Sequence, residues 1–465
     1  MTVTRSRGLP GGALRGAGVL VVAGLLGPQA GVPAATAVER PSIDGPVPAA
    51  NLAPPGELRL DGPCRTTAAV LDPAAPPAAT TAADLRPAWI HGRGEGQVVA
   101  VIDTGVNPGP RLPRVRGGGD LAPGGDGTED CDAHGTLVAG VLAAQEDDSG
   151  HTGVAPGVEI VSIRQSSGVL RAGAPDGDDA SVGPGVGTLS TLAAALRAAV
   201  DAGAGIVNIS EVACVPAGTR LADGPLGGAV RHAVTEHDVV IVAAAGNVGR
   251  DCADQNPGGP DPTDPHDDGW GDVVTVASPA WYDEFVLTVG AVDAAGAPAD
   301  FSLRGPWVDV AAPAVDLRSV GADGDGVSDV VVAADGSRVP ITGTSFAAPF
   351  VAGVAALVRQ AHPELSARQV IDRIRDTALP AAGGRDFAVG HGVVDPVSAV
   401  TGIRQSARPE PVAAAQPAPG PPHDPPGAGP GGVVAAAALV LGTAVLVVTA
   451  LARRPRPGRG PSRPG

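Results

Sequence analysis

Aromatic side chains are scarce: five Phe, four Trp and one Tyr account for 2% of the 465 residues, beside a single Met. A core of this composition is built from Val, Ala, Leu and Ile, which favours close-packed α/β layers over an aromatic-rich β-sandwich. Lysine is absent, so all 32 cationic residues are arginine, set against 49 Asp and Glu for a net charge of −17. That balance excludes a general affinity for nucleic acid, because phosphate contacts need a basic surface. Cysteine is limited to four residues with no C-x-x-C pair, which argues against a zinc site. There is no glycine-rich phosphate loop and no EF-hand spacing, so the expected cofactor and metal complement is none.

The two ends differ from the body. The first 37 residues carry Arg5, Arg7 and Arg15 but no acid, then the apolar run Ala17–Leu26, then Ala35-Thr36-Ala37. A basic start, a short apolar stretch and an A-x-A site read as a secretory signal peptide over 1–37. The run falls short of the ~20 residues that an anchor helix needs. Gly432–Ala452 is a stretch of 21 residues without charge, and at ~1.5 Å per residue such a helix crosses a bilayer. Arg453, Arg454, Arg456, Arg459 and Arg463 follow. The tail 453–465 is therefore expected in the cytoplasm and the body on the outer face of the plasma membrane. Residues 405–431 are a linker, with nine prolines between Arg408 and Gly431. Export makes Cys64, Cys131, Cys214 and Cys252 candidates for two disulfides. Three connectivities are open, of which Cys64–Cys131 with Cys214–Cys252 is the simplest.

Within the body, Val98–Ile102, Ile160–Ile163, Ile206–Ile209 and Val239–Ala243 are nearly continuous apolar runs, as in strands buried on both faces of a parallel sheet. Helical stretches, Thr188–Ala202 and Gly228–Glu236 among them, lie between. The alternation predicts an open, mainly parallel sheet flanked by helices, whose site lies at the carboxyl ends of the strands. Asp103-Thr104-Gly105 follows the first run. His134-Gly135-Thr136 opens an Ala/Val/Leu-rich helix, and Ala243–Gly246 ends a strand on the amide of Asn247. Gly343-Thr344-Ser345 opens another apolar helix, which puts the Ser345 hydroxyl at its positive end. Each piece alone is explained by a turn or a helix cap.

Together, in the order Asp, His, Asn, Ser, they resemble the subtilisin family of serine proteases. The flanks are similar to one branch of it, the mycosins, membrane-anchored proteases of actinobacterial type VII secretion systems. The residues concerned include Arg111–Val115, Asp130-Cys131-Asp132, Gly153–Pro156, Ser162–Ser167, Asn208–Glu211, Gly305–Pro313 and Gly390–Asp395. The resemblance implies a three-layer subtilisin-like fold over 86–404, preceded by an N-terminal extension (38–85) wrapped around it. Ser345 is then the nucleophile, His134 the general base, Asp103 the group that orients it and Asn247 the oxyanion donor. Ser210, Glu211 and Val212 are the strand edge that pairs with an extended substrate, and Ala244, Ala245 and Gly246 line the pocket for the residue before the cut. Val212, where many subtilisins have Gly, narrows that pocket toward small residues. Glu211 reads as a solvated edge charge, with attraction for basic groups as its alternative.

The extension departs from the subtilisin pattern, since its Pro- and Ala-rich sequence is a poor candidate for an autonomous inhibitory domain. His151, His391 and His423 read as structural or solvated. Asp261, Asp264, Asp267 and Asp268 read as a surface acidic loop, with Ca²⁺ binding as the alternative. The implied function is a serine endopeptidase that cleaves secreted proteins and supports the secretion complex; the alternative is a structural subunit with dispensable protease activity. An esterase needs a G-x-S-x-G elbow with His last, and neither is present.

Overall fold

The structure, a computed structural model, describes residues 38–404 except 55, 71–84, 173–178, 184, 262, 265, 382 and 383. The expected signal peptide, linker, transmembrane helix and tail lie outside the described residues, as does His423. Among the described residues no helix is long and apolar enough to cross a membrane.

In chain order the strands are β1 (Arg59–Leu60), β2 (Thr66–Ala68), β3 (Val98–Asp103), β4 (Val115–Asp120), β5 (Glu159–Arg164), β6 (Leu170–Arg171) and β7 (Ile206–Ile209). Then come β8 (Ala213–Pro216), β9 (Val240–Ala244), β10 (Thr275–Ser278), β11 (Val286–Val292), β12 (Val308–Pro313), β13 (Val330–Val332) and β14 (Arg338–Pro340). The helices are α1 (His134–Ala143), α2 (Leu189–Asp201), α3 (Gly224–Arg231), α4 (Thr344–Ala361), α5 (Ala367–Thr377) and α6 (Pro396–Thr401).

The central sheet runs β12-β11-β9-β7-β3-β5-β4, every pair parallel. Alternation along each strand feeds two cores. Val99 and Val101 of β3 pack in one cluster with Leu137 and Val138 of α1 and Val351 and Val354 of α4. Ala100 and Ile102 pack in the other with Leu192 and Leu196 of α2 and Leu226 of α3. This gives the expected helix–sheet–helix layering. After β3 the chain builds outward to β4 and β5 on one side and to β7 and β9 on the other, so the end of β3 is a switch point open to a ligand. Thr188 caps α2 in a reciprocal capping box with Thr191. The expected 228–236 helix is instead α3 followed by a π-turn, His232–Glu236.

The extension is a strap. Its backbone at Ser42 and Pro46 lies so close to α3 that a Cβ on Gly227 or Gly228 would fall 2.1 Å and 2.4 Å from their carbonyl oxygens. Arg40 pairs with Asp268 at 2.8 Å and Asp283 at 3.0 Å and lies over the Trp270 ring. Farther along, β1 pairs with β6, and β2 adds to the β13–β14 hairpin. Two cysteine pairs lie at disulfide distance: Cys64 with Cys131 (Cα–Cα 4.4 Å) and Cys214 with Cys252 (5.0 Å).

Candidate active site

β3 delivers Asp103, fully buried, to the switch point. The close approach of α1 depends on Gly135, because a Cβ there would lie 2.1 Å from the Gly105 carbonyl oxygen. The turn into α1 holds Ala133 at φ +64, a strained conformation for a residue with a side chain. The seat of α1 is a network around buried Asp130. Its carboxylate accepts from Thr136 N–H at 2.8 Å, Thr136 Oγ1 at 2.7 Å, Thr104 Oγ1 at 2.9 Å and Asp132 N–H at 3.0 Å. Burial nevertheless pushes Asp130 up to about 7.

His134 Nδ1 lies 2.7 Å from Asp103 Oδ1. A carboxylate only accepts, so Nδ1 carries the proton and Nε2 is left as the base. Burial disfavours the imidazolium, but the charge and hydrogen bond of Asp103, with Glu211 and Asp130 adding, outweigh it and raise His134 to about 9. The ring packs against Phe346, with centroids 5.3 Å apart. Ser345 sits in the first turn of α4, where backbone N–H groups have no helical partner. A cavity of about 400 Å³ is lined by His134 and Ser345 together with Glu211, Val212, Arg65 and Asp251.

Two contacts fix the Ser345 backbone. Asn247 Oδ1 accepts the Thr344 N–H at 2.9 Å, while Asn247 Nδ2 donates to Asp251 Oδ2 at 3.2 Å. The carbonyl of Ser345 is due to receive the N–H of residue 349, but that residue is Pro349. Ser210 Oγ donates to it instead, at 2.8 Å. Ser210 therefore faces the nucleophile's backbone.

Glu211 requires a correction. It is not a solvated edge charge: it is 7% exposed and lines the site, with Gly183 packed against its carboxyl group. Ser210–Val212 also lies outside the strands, between β7 and β8. Ala244, Ala245 and Gly246 are buried and do not line the cavity; a Cβ on Gly246 would fall 2.8 Å from Cys252 Sγ. Asp261 and Asp264 accept from their own loop, and Asp268 pairs with Arg40. His151 is buried and held down to about 3, mainly by that burial; His391 is half-buried. Sequence reasoning missed Asp130, Asp251 and the Ser210–Ser345 link. The D-C-D step before His134 was the one visible signal for the first.

Fold and site together define a serine peptidase of the subtilisin type. The subtilase family model (peptidase S8) matches residues 94–392. Mycosin-4 of Mycobacterium tuberculosis is 51% identical over 324 residues, covering 69% of this chain and 68% of its own. The MycP3 protease of the type VII (ESX-3) secretion system superposes with TM-score 0.71 at 42% identity, over 78% of this chain and 99% of that one. A chain of the intact ESX-5 inner membrane complex gives TM-score 0.70 at 38% identity, over 89% of this chain and all (100%) of that one. This chain belongs to the mycosins, subtilisin-like serine proteases of the subtilase family.

Proposed function

We propose that this chain is a membrane-anchored serine endopeptidase of a type VII secretion system that cleaves secreted proteins on the outer face of the plasma membrane. The observation that carries the reading is the Asp103–His134 contact of 2.7 Å, with His134 and Ser345 lining one cavity. Ser345 Oγ attacks the peptide carbonyl as His134 Nε2 takes its proton, and the proton then passes to the leaving amine. Asp103 holds the tautomer and stays ionised. The oxyanion is received by the Ser345 N–H and Asn247 Nδ2, whose orientation is set by Thr344 at one end of the amide and Asp251 at the other. Substrate backbone lies along Ser210–Val212, with Val212 on the cavity wall favouring a small residue before the cut. A peptide library in which Phe or Leu is preferred there refutes that specificity.

Both cysteine pairs are disulfides in this reading, as suits an exported domain. In the same reading the expected signal peptide, linker, membrane helix and tail make it a single-pass protein with its C-terminus inside. A second role, as a structural part of the secretion complex, is supported by the likeness to a chain of the ESX-5 inner membrane complex. Ser345→Ala separates the two. Loss of substrate processing with secretion intact supports a protease that is also a structural subunit; unchanged processing refutes the catalytic reading.

A further inference from the structure

We propose that Asp103, His134 and Glu211 form a binding site for one Zn²⁺ ion, which acts as a reversible inhibitor and not as a resident cofactor. The inhibition rests on the catalytic reading above, whereas binding needs only the three side chains.

The topology brings the three donors together. β7 and β3 are parallel neighbours with Ile209 beside Ile102, so Asp103 and Glu211 leave adjacent strands at the same end of the sheet. His134 meets Asp103 from the start of α1. One oxygen from each acid and one ring nitrogen of His134 lie within 4.8 Å of one another. Ligand atoms at ~2.0–2.2 Å from a tetrahedral zinc ion are about 3.4 Å apart, so closing the widest gap takes about 1.4 Å of side-chain rotation. Imidazole and carboxylate are donors that zinc accepts, while Ca²⁺ and Mg²⁺ favour an all-oxygen shell.

Two of these donors have unused oxygens. Asp103 is fully buried and Glu211 is 7% exposed, and Asp103 Oδ2 and Glu211 Oε2 are both buried without a hydrogen-bond partner. Ionised carboxylates only accept, so neither can satisfy the other; one cation satisfies both. The backbone holds the two groups in place. Thr104 N–H donates to Asp103 Oδ1 at 2.7 Å, and a Cβ on Gly183 would fall 2.1 Å from Glu211 Oε2. Asp130 and Asp132, before α1, add negative charge around His134 and Glu211. Arg65 and Arg250 also line the cavity, but Arg65 is turned to Asp132 at 3.9 Å, and among the described residues no cation is ion-paired with Glu211. The cavity, lined by His134 and Glu211, gives the ion a way in and room for a water as fourth ligand. Zinc on either ring nitrogen leaves the single imidazole proton on the other, so His134 has no lone pair left for the Ser345 proton.

The test is a ZnCl₂ titration of Ser345 labelling by a fluorophosphonate, in the full-length protein in detergent at neutral pH. Wild type labels without zinc if the catalytic reading holds; no labelling there overturns that reading and the inhibition with it. Saturating zinc should slow labelling about tenfold or more, EDTA should restore it, and CaCl₂ or MgCl₂ at the same concentration should leave it unchanged. In Glu211→Gln, compared with its own zinc-free rate, the half-inhibiting zinc concentration should rise at least ~10-fold, since loss even of an outer-shell partner costs ~10–100-fold in affinity. Labelling that zinc does not slow, or the same half-inhibiting concentration in the variant, overturns the proposal while leaving the triad standing. A second readout needs neither labelling nor a variant. Zinc should shield His134 of wild type from diethyl pyrocarbonate, read by mass spectrometry, while the exposed His91 stays reactive. Unchanged modification of His134 overturns the binding site itself.

Discussion

The contact between Ser210 and Ser345 makes a quantitative prediction about how the nucleophile is held. In α4 the Ser345 carbonyl cannot receive a helical hydrogen bond, because Pro349 has no N–H. Ser210 Oγ fills that place at 2.8 Å and itself accepts from Asn208 Nδ2 at 2.8 Å. Asn208 is fully buried, and its Oδ1 has no partner in the first place. Ser210→Ala therefore orphans two buried polar groups, each costing about 1–3 kcal/mol, so the fold should lose about 2–6 kcal/mol in urea denaturation. Pro349→Ala restores an N–H at the right position. In the Ser210→Ala background it should recover the carbonyl's share, about 1–3 kcal/mol, and more than it contributes in wild type. The four proteins form a double-mutant cycle read by urea midpoints and by the rate of Ser345 labelling. Additive effects, within about 0.5 kcal/mol, would show that the hydroxyl does not stand in for the missing helical bond.

Other consequences can be measured separately. Asn247→Ala should lower turnover by about 10²–10³-fold with little change in KM; equal losses in both refute the oxyanion assignment. His151 is held down to about 3 in the folded protein, against about 6.5 unfolded. Its contribution is thus complete above that unfolded value and is lost as pH falls toward 3, at up to about 1.4 kcal/mol per pH unit. His151→Leu should flatten this acid-side slope in equilibrium unfolding, and an unchanged slope places the sensitivity elsewhere. Cys64→Ser opens a loop of sequence separation 67, for which chain entropy gives about 4 kcal/mol. Limited proteolysis should then cut the extension before the catalytic body, and simultaneous cleavage refutes the staple.

Much of the architecture was readable in advance because β3, β5, β7 and β9 are apolar on both faces, a pattern few other elements share. β4 was not, since Val115–Asp120 carries three consecutive glycines. They serve close contacts: a Cβ on Gly117 would meet the Asp126 backbone oxygen at 2.6 Å, and one on Gly118 would meet the Val161 side chain at 2.2 Å. β11 and β12 were hidden by Gly290 and by the Ala-Ala-Pro end of β12, which lower strand propensity without preventing burial. Asp103, His134, Asn247 and Ser345 each stand within a short motif, so local sequence sufficed to pick them out. The Ser210 link spans 135 residues, and the burial of Glu211 depends on a glycine in another segment. Both are properties of packing that no local pattern contains.

The strap sets an order of assembly. β2 is completed by β13 and β14, with Thr67 facing Val331 and Val331 facing Val339, so its partners are made long after it. A chain growing from its N-terminus must keep Thr66–Ala68 unpaired until Val330–Val332 has emerged, although β1 can already pair with β6. One of the earliest strands is therefore among the last to find its partner. A polypeptide stopped before Val330 leaves β2 without its hairpin, and an open strand edge of that kind is a ready contact for other chains.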